Sequence, residues 1–398
     1  MRKSLAFFTN YLNEHQLPLC LAWDAMNDVE FTLVAVADSE GIAGRRNMNN
    51  DYDFVLREYE SDTAAKEAMR HAVEDDVVIF GHMDGKEQYV RARMKLDKLT
   101  FRSAERSLKR GYWWRFAPPK ALRMHNWYTR YKRQNMYMLC CSAFAAGDLK
   151  LCGWPLEKCF NWGYFPDSGH KNNCGRAPAK PASILWAARL IEWKRPFVPL
   201  QLAKRLKESG YEFHLTIAGD GPLRSEMLAY IEEHNISDVV DMLGLLTGEE
   251  TKRRMGESDI YITTSSCKEG WGTTVNEAMG AGCAVVASAS IGSAPFLIDD
   301  GVNGLLYDDL NENDLYLKVC KLLENRELAK GFGTRAVVAM NSTWSAGEAA
   351  RRFVGLAEAL SAGQGSPYVS GPCAPSKFLK NGWYHKESNR YENPGEHC

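Results

Sequence analysis

Nowhere in its 398 residues does the chain approach the ~18 to 20 consecutive apolar residues of a membrane-spanning helix. It also lacks a net charge: 49 Lys+Arg against 50 Asp+Glu leave a formal −1, so the total points to no polyanionic partner. The opening MRKSLAFFTNYLNEHQ turns polar too early for the apolar core of a signal peptide. The cysteines lack order rather than number. All 11 are scattered, and the group Cys140, Cys141, Cys152, Cys159 and Cys174 holds no C-x2-C pair, so buried thiols are expected rather than a zinc site or a secreted disulfide scaffold. Internal repeats and heptads are missing too. What remains is an ordinary globular composition, 45% hydrophobic and 25% charged, long enough for two domains or three small ones, each with its own core. A reducing cytoplasm is the expected location.

Short β-branched or aromatic runs alternate with helical-period segments, which predicts α/β units around parallel sheets. In the first half the candidate strands are 5–8, 31–37, 77–80 and 98–101. In the second half they are 183–188, 213–219, 238–243, 259–264 and 284–288, each separated by a helical stretch. RAPAKPAS (176–183) reads as an extended connector, placing an N-terminal domain at 1–178 and a C-terminal one at 179–343. Helical periods follow at 311–324, 326–340 and 344–362. The last sets Ala350, Phe353, Val354 and Ala357 on one face and is expected to return to the N-terminal domain. The tail 363–398, rich in Gly, Pro, Ser and Asn, is expected loose or laid on the surface.

Ligands of open α/β sheets bind beyond the carboxyl ends of the strands. Arg189, Lys194 and Arg195 follow the strand at 183–188, where a guanidinium and an ammonium suit a diphosphate, although a solvated basic helix start is the plainer account of them taken alone. SSCKEGWGTTVNEAMGAGC (265–283) follows the strand at 259–264. Its Gly270 and Gly272 allow close backbone approach, and a helix starting near Thr273 or Thr274 aims N–H groups at an anion. Glu277, one turn in, suits the two hydroxyls of a ribose, and Glu269 on the loop suits sugar hydroxyls. Acidic residues also favour first turns through the dipole alone, and Ala278, Ala281 and Gly282 fit simple helix-to-sheet packing.

Taken in order, Arg189 with Lys194, IAGDGPLR (217–224), MLGLLTGEE (242–250), the E-x7-E of Glu269 and Glu277, and GVNGLLY (301–307) resemble the retaining GT-B glycosyltransferases of family 4 over roughly 183–360. The resemblance implies two Rossmann-like doubly wound domains facing each other across a cleft. It implies that Arg189 and Lys194 hold a donor diphosphate, that Glu277 binds the ribose, and that Glu269 contacts the transferred sugar. It implies too that the turn at Gly244 and Leu245 meets the nucleobase through its backbone, and that Gly219, Gly270, Trp271, Gly272 and Thr273 complete the donor site. The implied reaction moves a sugar from a nucleotide diphosphate sugar to a saccharide or lipid-linked saccharide with retention, needing no cofactor or metal beyond the donor. TNYLNEHQLPL (9–19), LTFRSAERSLKRG (99–111) and WGYFPDSG (162–169) are similar to a bacterial surface-polysaccharide subgroup. There are two departures: Asn13, His15 and Gln16 replace the usual glycine-rich turn, and Phe296 stands where many relatives carry a glutamate. A sugar-nucleotide epimerase of the same fold and a non-catalytic sugar-nucleotide binder are the alternatives; isomerised donor without acceptor marks the first, binding without consumption the second.

Among the histidines, His15 and then His82 follow strands and are candidates near the reacting carbon, whereas His71, His125, His214 and His234 join no constellation. Asp51-Tyr52-Asp53 matches the D-x-D with which another transferase fold holds a divalent ion, but no strand delivers it. Between Arg106 and Arg133 stand nine Lys/Arg and no Asp/Glu, interleaved with Trp and Tyr. That stretch suits peripheral contact with the inner, anionic membrane face; a nucleic-acid groove would look alike, and an ordinary basic loop is the plain account. Lipid-linked acceptors among the resembling enzymes select the membrane, and no nucleic acid is expected.

Overall fold

A computed structural model of the chain describes residues 2–38, 48–49, 51–167 and 181–384. They form two compact units: Met1–Pro166 with Thr343–Leu379, and Asp167–Ser342 with Lys380–Cys398. The connector expected at 176–183 lies mostly outside the described residues.

The first unit holds seven strands, β1 (Lys3–Thr9), β2 (Val29–Ala35), β3 (Val55–Arg57), β4 (Val77–Phe80), β5 (Thr100–Ala104), β6 (Met136–Cys140) and β7 (Cys159–Asn161). All pair in parallel, in the order β3-β2-β1-β4-β5-β6-β7. Val77–Phe80 is buried at every position, as a strand covered on both faces requires. The strand expected at 98–101 is found at Thr100–Ala104, and the Lys98 ammonium before it donates to the Glu74 carbonyl at 2.7 Å.

Ser345 caps helix Ala346–Ser361 by accepting from the Glu348 N–H, while the Glu348 carboxylate turns to Arg351 and Arg352. This helix belongs to the first unit and packs on helix Leu17–Asp24, with the Phe353 ring 5.4 Å from Trp23. Ala350, Phe353 and Ala357 are buried as read from the sequence, but Leu356 takes the place given to Val354, which is half-buried. Part of the tail is tied down: Cys373 donates to the Asn161 carbonyl at 2.7 Å, Asn161 to that of Ala374 at 2.8 Å, and Ser376 to that of Cys159 at 2.9 Å. The open β7 edge is thereby closed.

The second unit carries β8 (Ala182–Ala187), β9 (Phe213–Ala218), β10 (Val240–Gly244), β11 (Ile260–Thr263), β12 (Ala284–Ser288) and β13 (Leu305–Tyr307). They form a parallel sheet ordered β10-β9-β8-β11-β12-β13. Chain order reverses between β8 and β11, the doubly wound arrangement whose crevice at that point receives ligands. Trp186, Ile217, Ile262 and Val286 fill the core beneath it.

Candidate functional site

The segments leaving β8 and β11 are stitched together at the switch point. Thr264, just past β11, accepts from the Trp186 indole at 2.9 Å and donates to the Lys194 carbonyl at 2.8 Å, while the Ser266 N–H reaches the Trp193 carbonyl at 2.9 Å. Lys194 closes the short 3-10 turn Glu192–Lys194, and its ammonium is hydrogen-bonded to the Glu269 carboxylate. Both side chains are largely buried, 15% and 13% exposed.

The three cations grouped by the sequence part company here. Arg195 takes a left-handed conformation at φ 54° and turns away, its guanidinium bonded to the Asp309 carbonyl. Asp309 is held in turn by the Ser290 hydroxyl at 2.7 Å. Arg189 remains exposed with no carboxylate partner among the described residues, its guanidinium 5.9 Å from the Trp193 ring centre.

Helix Thr273–Gly280 opens at Gly272, which has φ 84° and supplies no side-chain cap. A Cβ there would lie 2.8 Å from Cγ2 of Ile291, so only glycine fits the entry. The uncapped first N–H groups present a positive helix end beside Glu269. Glu277 stands one turn in, as read from the sequence, and is half-buried. Beneath it the Tyr261 hydroxyl donates to the Ala187 carbonyl at 3.2 Å, and burial pushes its phenol up from the ordinary tyrosine value. Trp271, expected among the donor-binding residues, points inward instead. Only 2% exposed, it donates to Asn276 Oδ1 at 2.7 Å and packs its ring 6.1 Å from Phe296, so its side chain supports the turn from below.

Past β9 and β10 two turns close on each other through the Gly219 N–H and the Gly244 carbonyl at 2.7 Å. Leu245 stands 78% exposed at the tip. Arg189, Lys194, Glu269, Gly270 to Thr273 and Glu277 thus gather at the β8/β11 switch point, with Gly219, Gly244 and Leu245 over the neighbouring strand ends of the same sheet. Sequence reasoning passed over Thr264 and Asp309, although a threonine closing a buried strand is a signal that was open to it.

His15 belongs to the first unit. It is exposed in the turn after β1, its N–H bonded to Asn13 Oδ1 at 3.0 Å and its ring 6.3 Å from that of Tyr164. Asn13 Oδ1 also accepts from the Gln16 N–H at 3.1 Å, so the asparagine side chain closes the turn where the glycines are missing. His82 is exposed beside Asp84, Nε2 to Oδ1 3.3 Å. Asp51 and Asp53 lie in the segment leading into β3 rather than at its carboxyl end. Among the described residues no three His, Cys, Asp or Glu side chains converge as metal ligands. The nine described cysteines are all free thiols, and Cys174 lies outside the described residues.

Residues 172–337 match the family model described as Glycosyl transferases group 1. A Salmonella typhimurium protein named for colanic acid biosynthesis, the glycosyltransferase WcaL, is 30% identical over 203 residues, 50% of this chain and 49% of that one. The Campylobacter jejuni enzyme named N-acetylgalactosamine-N,N'-diacetylbacillosaminyl-diphospho-undecaprenol 4-alpha-N-acetylgalactosaminyltransferase is 29% identical over 157 residues, 39% of this chain and 41% of that one. The chain spans about half the length, or less, of these curated relatives. The crystal structure of Anabaena Alr3699/HepE in complex with UDP and glucose superposes with a TM-score of 0.62, covering 91% of this chain and 100% of that one at 14% identity. The second unit is thus similar in sequence to the group 1 glycosyl transferases over 172–337, and the two parallel-sheet units have the fold of the GT-B glycosyltransferases.

Proposed function

We propose that the protein is a glycosyltransferase that moves a sugar from a nucleoside diphosphate sugar to a saccharide, with retention at the anomeric carbon, in the building of a bacterial polysaccharide. One observation carries this reading: an unpaired Arg189, the Lys194 ammonium and an uncapped helix start converge at the switch point of a doubly wound sheet. Arg189 and Lys194 receive the diphosphate, the backbone of Gly270 to Thr273 approaches it, Glu277 binds the ribose, and Glu269 accepts from a sugar hydroxyl. As the bond from the anomeric carbon to the diphosphate breaks, negative charge grows on the leaving oxygen, which takes the proton of the attacking hydroxyl on the same face. Fixed cations and helix N–H groups stabilise that charge, so neither a protein nucleophile nor a metal is invoked. His15 is the first unit's candidate for serving the acceptor hydroxyl. The names of WcaL and of the undecaprenol-linked Campylobacter enzyme, and the UDP and glucose in the HepE complex, support donor and pathway class. The test is transfer from an α-linked donor followed by ¹H NMR. An α-linked product is expected; a β-linked product overturns retention, and isomerised donor without acceptor overturns transfer.

A lipid-linked acceptor and peripheral membrane contact belong to the same proposal. Helix Pro118–Trp127 buries only Met124, and Trp113, Phe116 and Leu122 are 65%, 72% and 61% exposed. Arg110, Arg123, Arg130, Lys132 and Arg133 are exposed around them without a carboxylate partner among the described residues. Exposed apolar rings fringed by cations match an anionic bilayer surface, at about 1 kcal/mol per near-surface charge. Changing Trp113, Phe116 and Arg123 together to serine is expected to lower co-sedimentation with anionic liposomes at least tenfold; unchanged sedimentation reduces the patch to ordinary surface.

A further inference from the structure

Arg224 opens helix Arg224–Glu233, directly after the turn that closes on Gly244. Its guanidinium lies over that second turn, since a Cβ on Gly244 would stand 3.4 Å from Nη1. Nη1 is shielded from solvent and has no hydrogen-bond partner, and the side chain forms no ion pair among the described residues. Shielding a guanidinium N–H without an acceptor costs free energy that a bound acceptor would recover. Beside it stands the 78% exposed Leu245, an apolar platform at the same strand ends. A flat ring resting on Leu245 would bring its edge to the unsatisfied N–H.

We infer that Arg224 reads the base of the donor nucleotide and selects a base with a keto oxygen over its amino-bearing counterpart. The inference rests on the donor site proposed above and adds the chemical class of the nucleotide. The direction follows from what arginine is. A guanidinium has five N–H donors and no acceptor. It can donate to O4 of uracil or O6 of guanine, but it meets the amine of cytosine or adenine donor against donor. A site built to hydrogen-bond one exocyclic group rejects the analogue lacking it, because the buried donor is left unpaired.

Dissociation constants for UDP, CDP, GDP and ADP test this with the full chain, comparing UDP with CDP and GDP with ADP so that ring size cancels. In the wild type, the keto member of at least one pair is expected to bind about tenfold tighter, which is about 1.4 kcal/mol. Arg224→Met keeps the apolar stem and is expected to bring that ratio within about threefold while leaving the weaker partner's affinity unchanged. Arg224→Gln, whose amide offers donor and acceptor alike, is expected to level the ratio too, and covers the case in which the methionine variant does not fold. A wild-type ratio retained in either folded variant overturns the inference, as does an equal loss for all four nucleotides, which would place Arg224 on the phosphates. Binding of none of the four by the wild type overturns the donor site itself.

Discussion

Lys194→Ala is expected to lower transfer by roughly 10³-fold, the upper end of the 10² to 10³ that deleting a single stabilising donor costs. The ammonium and the Glu269 carboxylate are bonded and largely buried, so removing Lys194 deletes a cation and leaves a bare anion where the diphosphate charge must settle. Lost attraction and added repulsion act together. Glu269→Gln alone frees the ammonium for the donor, so nucleotide affinity should hold or rise while turnover falls, because an amide accepts less strongly from a sugar hydroxyl. Glu269→Gln is therefore expected to raise nucleoside diphosphate affinity more in the Lys194→Ala background than in the wild type, a difference that a double-mutant cycle reads directly. Affinities that simply add, or a Lys194→Ala enzyme within threefold of wild type, would remove the pair from the site.

Gly219→Ala is expected to cost about 2 to 5 kcal/mol of stability, from backbone strain and a clash that flexible side chains cannot relieve. At φ 145° the added Cβ would lie 1.9 Å from the Ala188 carbonyl oxygen, in the segment that carries Arg189. The turn cannot yield without parting the Gly219 N–H from the Gly244 carbonyl. A thermal melt checks this against Gly248→Ala, where no atom stands within 4 Å of the added Cβ and a helix start should gain up to about 1 kcal/mol. Equal melting of the two variants would contradict the close approach of the turns.

The second unit was more legible in the sequence than the first, for physical reasons. Strands such as AVVAS are continuous buried runs, and Thr247 and Asn311 write helix starts as caps. In the first unit β3 and β7 are three residues each, too short to show a period, and MYMLC of β6 holds no β-branched residue. At the site, spacing placed Arg189, Lys194, Glu269 and Glu277 at strand ends, but the Lys194 to Glu269 bond joins residues 75 apart and no local pattern encodes it. Arg195 adjoins Lys194 in sequence, yet one left-handed residue sends it to Asp309. Trp271 lies among glycines that read as a ligand loop, while Asn276 and Phe296, which draw it inward, come later in the chain.

The donor site proposed for the second unit holds a nucleoside diphosphate sugar through Arg189 and Lys194. Incubating the wild type and Arg189→Ala with a panel of nucleotide sugars, and following thermal shift and slow release of nucleoside diphosphate, tests it most directly. At least one donor should raise the wild-type melting temperature and be consumed. Arg189→Ala, exposed and without an ion pair to lose, should melt alone as the wild type does yet respond to none of the panel. Consumption by Arg189→Ala at the wild-type rate, or no donor bound or consumed by the wild type, would contradict the account.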